Sequence, residues 1–282
     1  MLSTVYFHRQ ANSDSLSSRR ILSMLTRPSY RVHSHWSSTW NVLCMLSSCY
    51  LANRRPSKLL PYLKSLPPPG ALLTPLHFTP SESETFRGTN IYGATRDRQE
   101  SWTTEWNQCR TFVHAVNSDW AEKYTWYASF SLSVQSSNQI RDKYLRASTY
   151  PSSRAFPSTL LSRSPTLQTT PSSYPILLPG VDTLNHCRGQ PVSWFTSYPA
   201  GSTEEKHDSA TVSIISHTQT LPGEEIFNNY GLKANDELIF GYGFSLVQNP
   251  DDRVTLQLGG SSNKWAIGRH ASGAEGLWNE VR

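Results

Sequence analysis

The chain is short of the features that usually announce a function. Its four cysteines, Cys44, Cys49, Cys109 and Cys187, form no Cys-x-x-Cys pair. That excludes a zinc ribbon and a dense disulfide framework, and no metal site is expected. No Asn-x-Ser/Thr sequon occurs, so nothing indicates a glycosylated surface. No apolar run approaches the length of a membrane span. Gly-x-Ser-x-Gly, His-Glu-x-x-His and the phosphate-loop pattern are absent, and Asp, Ser and His recur at no triad-like spacing. Charge is scarce: 17% of the 282 residues are charged, and no Lys/Arg run exceeds two residues. The net +5 permits an acidic partner without an organised basic face. Nucleic-acid and membrane partners are therefore not expected, and a monomer in a reducing intracellular compartment, nucleus or cytoplasm, is the simplest reading.

Ser, Thr and Pro fill the space left by charge and by a hydrophobic content of only 37%. Residues 1–50 hold five Arg, no Lys and the single acid Asp14, together with many Ser. Residues 1–55 read as a poorly ordered leader; a mitochondrial transit segment has a similar composition. Residues 56–150 read as helical. "PSKLLPYLKSLPPP" is a short helix stopped by prolines, and 100–130 place Trp102, Trp106, Phe112, Val113, Val116, Trp120, Tyr124 and Tyr127 at helical spacing. That spacing predicts an amphipathic helix pair with an aromatic face, which is ordinarily core. Residues 157–173 read as a Ser/Thr/Pro loop.

From residue 174 the pattern changes. "YPILLPGVDTLNH" is a short buried strand and a turn. "SATVSIISHTQTLPGEEIFNNYG" reads as two strands joined at Leu221–Gly223. "KANDELIFGYGF" is a helix with Asn235 at its cap, and "RVTLQLGG" a last strand, with 263–282 as a tail. The class is α+β. Asp182, Asn185 and His186 crowd one turn, which is either solvated packaging or a site.

Four pieces in this order, "SSRAFPSTLL", "LLPGVDTLNH", "LPGEEIFNNYG" and "ANDELIFGYGF", resemble the SET-domain protein methyltransferases. The subclass they resemble is that of the Rubisco large-subunit and ribosomal-protein lysine methyltransferases. "PYLKSLPP" and "FRGTNI" look like its helical insert, and 151–262 like its C-terminal core. The resemblance implies small curved β-sheets closed by a pseudoknot, with S-adenosyl-L-methionine and the target protein's lysine entering from opposite faces to meet in a narrow channel. It implies a catalytic role for Tyr230, and cofactor contacts from Asn185, His186 and Arg154. Tyr242, Phe156, Asp182 and Ser153 would line the substrate channel. Taken alone, Tyr230 also reads as a core tyrosine, His186 as a satisfied loop histidine, and Asp182 as the cap of its turn.

The roles make physical sense. In-line methyl transfer needs a neutral amine about 3 Å from the methyl. A dry aromatic slot beside a sulfonium lowers the lysine pKa by desolvation and like charge. Three departures stand against the resemblance. The family's glycine-rich cofactor strand has no counterpart before Pro56, residues 128–151 match nothing, and the helical substrate domain does not follow "RVTLQLGG". The alternatives are a SET remnant that binds peptide without catalysis, and a protein-histidine methyltransferase.

Overall fold

A computed structural model of the chain describes residues 3–8, 60–68, 70–116, 145–146, 148–199 and 211–282. In chain order the elements are β1 (Ser3–His8), α1 (Leu60–Ser65), α2 (Pro80–Thr85), α3 (Asn90–Val116), β2 (Phe156–Pro157), β3 (Pro175–Ile176), β4 (Val192–Ser197), β5 (Thr211–Ser216), α4 (Asn235–Tyr242), β6 (Arg253–Leu256), β7 (Trp265–Gly268) and α5 (Glu275–Val281). This is a mixed α+β architecture with small antiparallel sheets. Among the described residues no helix is long and apolar enough to cross a membrane. The chain divides into two compact units, each assembled from separated stretches: Met1–Lys64 with Arg154–Asn229, and Ser65–Ser153 with Tyr230–Arg282.

The first unit is built on a three-stranded sheet in the order β1-β5-β4. β5, rich in β-branched residues, suits the central place, and Val212 and Ile214 are 4% and 2% exposed. Both neighbours run antiparallel to it, with Ser3 and Val192 opposite Ser216. Leu160, Leu161, Ile176, Leu178, Val181 and Val212 form the core, and Phe156 and Trp194 pack against it. Two sequence expectations are corrected. Within the segment read as a poorly ordered leader, residues 3–8 form β1, and 9–59 lie outside the described residues. The loop read over 157–173 opens with a 3-10 turn, Ser158–Leu161, whose two leucines are fully buried. Of the two strands expected around Leu221–Gly223 only β5 forms; Ile226–Asn228 contributes a single parallel bridge, His186 to Asn228. β4 was not expected at all.

In the second unit Thr79 caps α2: its hydroxyl accepts from the Glu82 N–H at 3.2 Å while its own N–H donates to the Glu82 carboxylate at 2.7 Å. α3 is a helix of 27 residues that starts at Asn90 rather than near 100; the second helix of the expected pair falls on residues 117–144, which lie outside the described ones. The polar first half of α3 carries no apolar stripe, which is why its start was missed. α3 packs on α4 through Arg98, whose guanidinium lies 4.2 Å from the Phe240 ring centroid and 5.6 Å from that of Trp102. Burial lowers its basicity. Residues 148–154 are helical, and the Tyr150 hydroxyl donates to the Pro67 carbonyl at 2.7 Å. β6 pairs with β7, and α5 follows, so 263–282 is structured rather than a tail.

Candidate functional site

In the first unit, residues 185–187 run beside Asn228. The Asn228 N–H donates to the Asn185 carbonyl at 2.8 Å, and the Cys187 N–H donates to the Asn228 carbonyl at 2.9 Å. Asn228 is 2% exposed, and Asn229 donates from Nδ2 to the Gln190 carbonyl at 3.1 Å. The main chain of the Asn-His turn is thereby fixed. The Asn185 side chain stays exposed, and its Nδ2 donates to Glu225 Oε1 at 2.6 Å. A carboxylate only accepts, so this bond sets the amide's orientation and leaves Oδ1 as a free-standing acceptor.

Asp182 lies in the 3-10 turn Val181–Thr183, entered through Gly180 at φ 93°. Its side chain is fully buried. Oδ1 accepts from the Gly180 N–H at 3.1 Å, and Oδ2 accepts from the Tyr62 hydroxyl at 2.6 Å. Arg154 Nη1 donates to the Asp182 carbonyl at 3.0 Å and lies 3.6 Å from Oδ2. Burial, then the bond to Asp182, raise the Tyr62 phenol well above its ordinary pKa. Phe156 packs edge-on against Trp194, with centroids 5.4 Å apart.

In the second unit, the Tyr230 and Tyr242 rings meet at a tilt of 34° with centroids 4.9 Å apart, and Phe244 stands 6.5 and 6.2 Å from them. Lys233 Nζ lies 6.0 Å from the Tyr242 centroid, at the edge of cation–π range. Burial, with a smaller contribution from the Glu237 charge, raises the Tyr242 pKa. The cluster depends on how α4 ends. Gly243 takes the left-handed conformation, φ 80°, and its N–H reaches the carbonyls of Leu238 and Ile239, both at 3.0 Å. At the other end Ala234, not Asn235, precedes the helix. Asn235 instead bonds Asp252 from its N–H at 2.7 Å and the Leu246 carbonyl from Nδ2 at 2.9 Å, tying the helix start to residues 246–252. The Ser153 hydroxyl donates back to the Thr149 carbonyl at 2.9 Å, inside its own helix.

Of the predicted residues, Arg154 and Asp182 therefore meet, Asn185 and His186 share one fixed turn, and Tyr230 meets Tyr242. Phe244 stands beside the two tyrosines, and Phe156 packs on Trp194. Sequence reasoning missed Tyr62, Glu225 and Phe244 as members of these groups, although each stands in a quoted motif. Among the described residues no group of three or more His, Cys, Asp or Glu could hold a metal. An open groove of about 600 Å³ along α3, lined by Tyr92, Arg96, Asp97, Glu100 and Thr103 among others, includes none of the predicted residues.

No family model matches the chain. Among curated proteins it is 32% identical over 202 residues to the ribosomal lysine N-methyltransferase set10 of Schizosaccharomyces pombe, an alignment covering 72% of this chain and 30% of that one. It is 29% identical over 223 residues to ribosomal lysine N-methyltransferase 1 of Saccharomyces cerevisiae, covering 71% and 34%. Among solved structures it matches the SET domain of LSMT bound to lysine and AdoHcy with a TM-score of 0.61 at 18% identity, over 84% of this chain and 52% of that one. Rubisco LSMT bound to AdoMet gives 0.58 at 17% identity, over 92% and 55%. The chain spans about a third of the length of these two curated relatives and about half that of the solved chains. Its fold is that of a distantly related SET-domain lysine methyltransferase.

Proposed function

We propose that this chain, with its SET-domain lysine methyltransferase fold, is an S-adenosyl-L-methionine-dependent protein-lysine N-methyltransferase whose substrate is a ribosomal protein. The observation that carries the reading is the packing of Tyr230 on Tyr242 and Phe244. Two phenols and a phenyl ring make the aromatic, oxygen-bearing wall that an alkylammonium needs. Such a wall strips water from the lysine and disfavours its charged form. Tyr242, its proton held by burial, stays a neutral phenol across the physiological range. Tyr230 is the catalytic residue in this reading, its hydroxyl oxygen receiving weak C–H···O contacts from the reacting carbon.

The donor set suits S-adenosyl-L-methionine. Arg154 offers a guanidinium to a carboxylate. Asn185, with Nδ2 taken by Glu225, offers Oδ1 to an ammonium. The fixed main chain of His186 serves the adenine edge. When bound, that group supplies an electrophilic methyl on a sulfonium. The His186–Asn228 bridge supports the SET-type threading of the Asn-His turn against the stretch that leads into Tyr230. β1 supplies a strand ahead of Pro56, but its sequence, Ser-Thr-Val-Tyr-Phe-His, contains no glycine. The lack of a glycine-rich cofactor strand therefore remains part of the proposal.

The test has two stages. The full chain is first titrated with S-adenosyl-L-methionine by calorimetry, then given the methyl-labelled compound with purified ribosomal proteins. Micromolar binding and label on lysine are expected. Absence of binding up to millimolar concentration overturns the reading. Binding without label on any ribosomal protein overturns the substrate class alone.

A further inference from the structure

The contacts around Asp182 hold an asymmetry. Arg154 and Asp182 are opposite charges with their side chains 20% and 0% exposed, the arrangement in which a tight ion pair would be expected. The ion pair they form is a long one. The carboxylate stands 3.6 Å from Nη1, beyond hydrogen-bond range, and Arg154 bonds the Asp182 main-chain carbonyl at 3.0 Å instead. Other donors hold the carboxylate. Oδ2, the oxygen nearer Arg154, receives the Tyr62 hydroxyl at 2.6 Å, and Oδ1 receives the Gly180 N–H at 3.1 Å. The negative charge is satisfied by neutral donors. Of the five N–H donors of Arg154, one is described in a hydrogen bond, to the Asp182 carbonyl.

We infer that Tyr62 is a positioning residue for cofactor binding: by holding Asp182 Oδ2 it keeps the long Arg154–Asp182 pair from closing into a direct hydrogen bond, and so keeps the guanidinium available to the amino-acid carboxylate of S-adenosyl-L-methionine. This rests on the reading of Arg154 given above. Tyr62 stands 120 residues from Asp182, in "PYLKSLPP", a segment with no site role in the sequence reading. With the hydroxyl removed, Oδ2 is left unsatisfied in a buried place, and the nearest remaining donor is Arg154. A closed pair leaves the site with a neutralised guanidinium facing an incoming carboxylate.

The experiment compares two ligands that differ only in that carboxylate: S-adenosyl-L-methionine and its decarboxylated form. Each is titrated into the full chain as wild type, Tyr62→Phe, Arg154→Met, and the double variant Tyr62→Phe with Asp182→Asn. Wild type should prefer the carboxylated ligand, and Arg154→Met should abolish that preference. Tyr62→Phe should weaken the carboxylated ligand about tenfold and leave the decarboxylated one unchanged. The double variant, in which position 182 has lost the charge that captures Arg154, should regain the preference.

Equal weakening of both ligands by Tyr62→Phe would mean a purely structural role. No weakening of either, or a double variant no better than Tyr62→Phe, would equally refute the inference. If Tyr62→Phe does not fold, the Asp182→Asn single variant serves: retained preference supports the inference and lost preference overturns it. Wild type that binds neither ligand would overturn the cofactor reading itself. Wild type that binds both equally would overturn the role of Arg154 alone.

Discussion

Gly243 separates Tyr242 from Phe244, and replacing it with alanine tests how the aromatic cluster is held. Two costs follow from its position. A left-handed backbone costs an L-residue about 1–2 kcal/mol, and Gly243 sits at φ 80°. A Cβ would also lie 2.7 Å from the Leu73 carbonyl carbon and 2.9 Å from its oxygen. These are backbone atoms, which cannot turn aside as a side-chain end can, and such overpacking adds about 1–3 kcal/mol. The sum is about 2–5 kcal/mol. Two other glycines of the same unit separate the contributions. Gly231 has φ 93° with nothing within 4 Å of a built Cβ, so Gly231→Ala should cost the backbone part alone, about 1–2 kcal/mol. Gly241, inside α4, has no neighbour within 4 Å and no positive φ, so Gly241→Ala should stabilise by about 0.5–1 kcal/mol. Urea unfolding of the full chain, followed by tryptophan fluorescence, reads all three. The reasoning fails if Gly243→Ala is no more costly than Gly231→Ala, because the clash with Leu73 would then not exist.

Tyr230→Phe should reduce methyl transfer below detection while leaving S-adenosyl-L-methionine affinity unchanged; retained turnover removes Tyr230 from the mechanism. Asn185→Ala should weaken S-adenosyl-L-methionine by about 1–3 kcal/mol, and Glu225→Ala should weaken it less, since Glu225 only orients the amide; calorimetric titration distinguishes the two, and an unchanged Asn185→Ala makes the turn packaging. Stability should fall on the alkaline side. The Tyr62 and Tyr242 phenols are raised in the folded chain, so as pH passes about 10 the unfolded chain loses these protons first. Their contribution is complete below that pH and is lost as pH rises through the folded values; Tyr62→Phe should flatten the decline in melting temperature, and an unaltered slope would contradict the burial of that hydroxyl.

Local patterns were legible and long-range ones were not. α4 could be read from "ANDELIF" because its apolar spacing lies within one helix. Its cap was misplaced by one residue because Asn235 has partners at Leu246 and Asp252, which no local pattern encodes. β4 escaped notice because "VSWFTS" does not alternate cleanly; it is a strand by virtue of its pairing, Trp194 opposite Ile214. Leu160 and Leu161 looked like loop residues among Ser, Thr and Pro, and their burial is decided by Ile176, Leu178 and Val212. The site divides in the same way. Tyr230 and Tyr242 stood out through their motifs, and the crowded Asp182–His186 turn through its polarity. Tyr62 and Glu225 could not be found, because their partners lie 120 and 40 residues away.

The division of each unit between distant stretches bears on synthesis. The chain changes unit after Lys64, Ser153 and Asn229, so no contiguous piece ending at one of these points is a complete unit. Among the described residues the partner strand of β1 is β5, so Ser3 must wait for Ser216. At roughly 5–20 residues per second on a ribosome, β1 waits on the order of ten seconds or more with its edge unpaired. Closing so long a loop makes the pairing entropically late and slow. A nascent chain of this protein thus exposes a β-edge from the making of β1 to the making of β5, making it a candidate client for chaperones that bind at the tunnel exit. Truncation at a unit boundary would be expected to yield aggregation rather than a smaller folded protein.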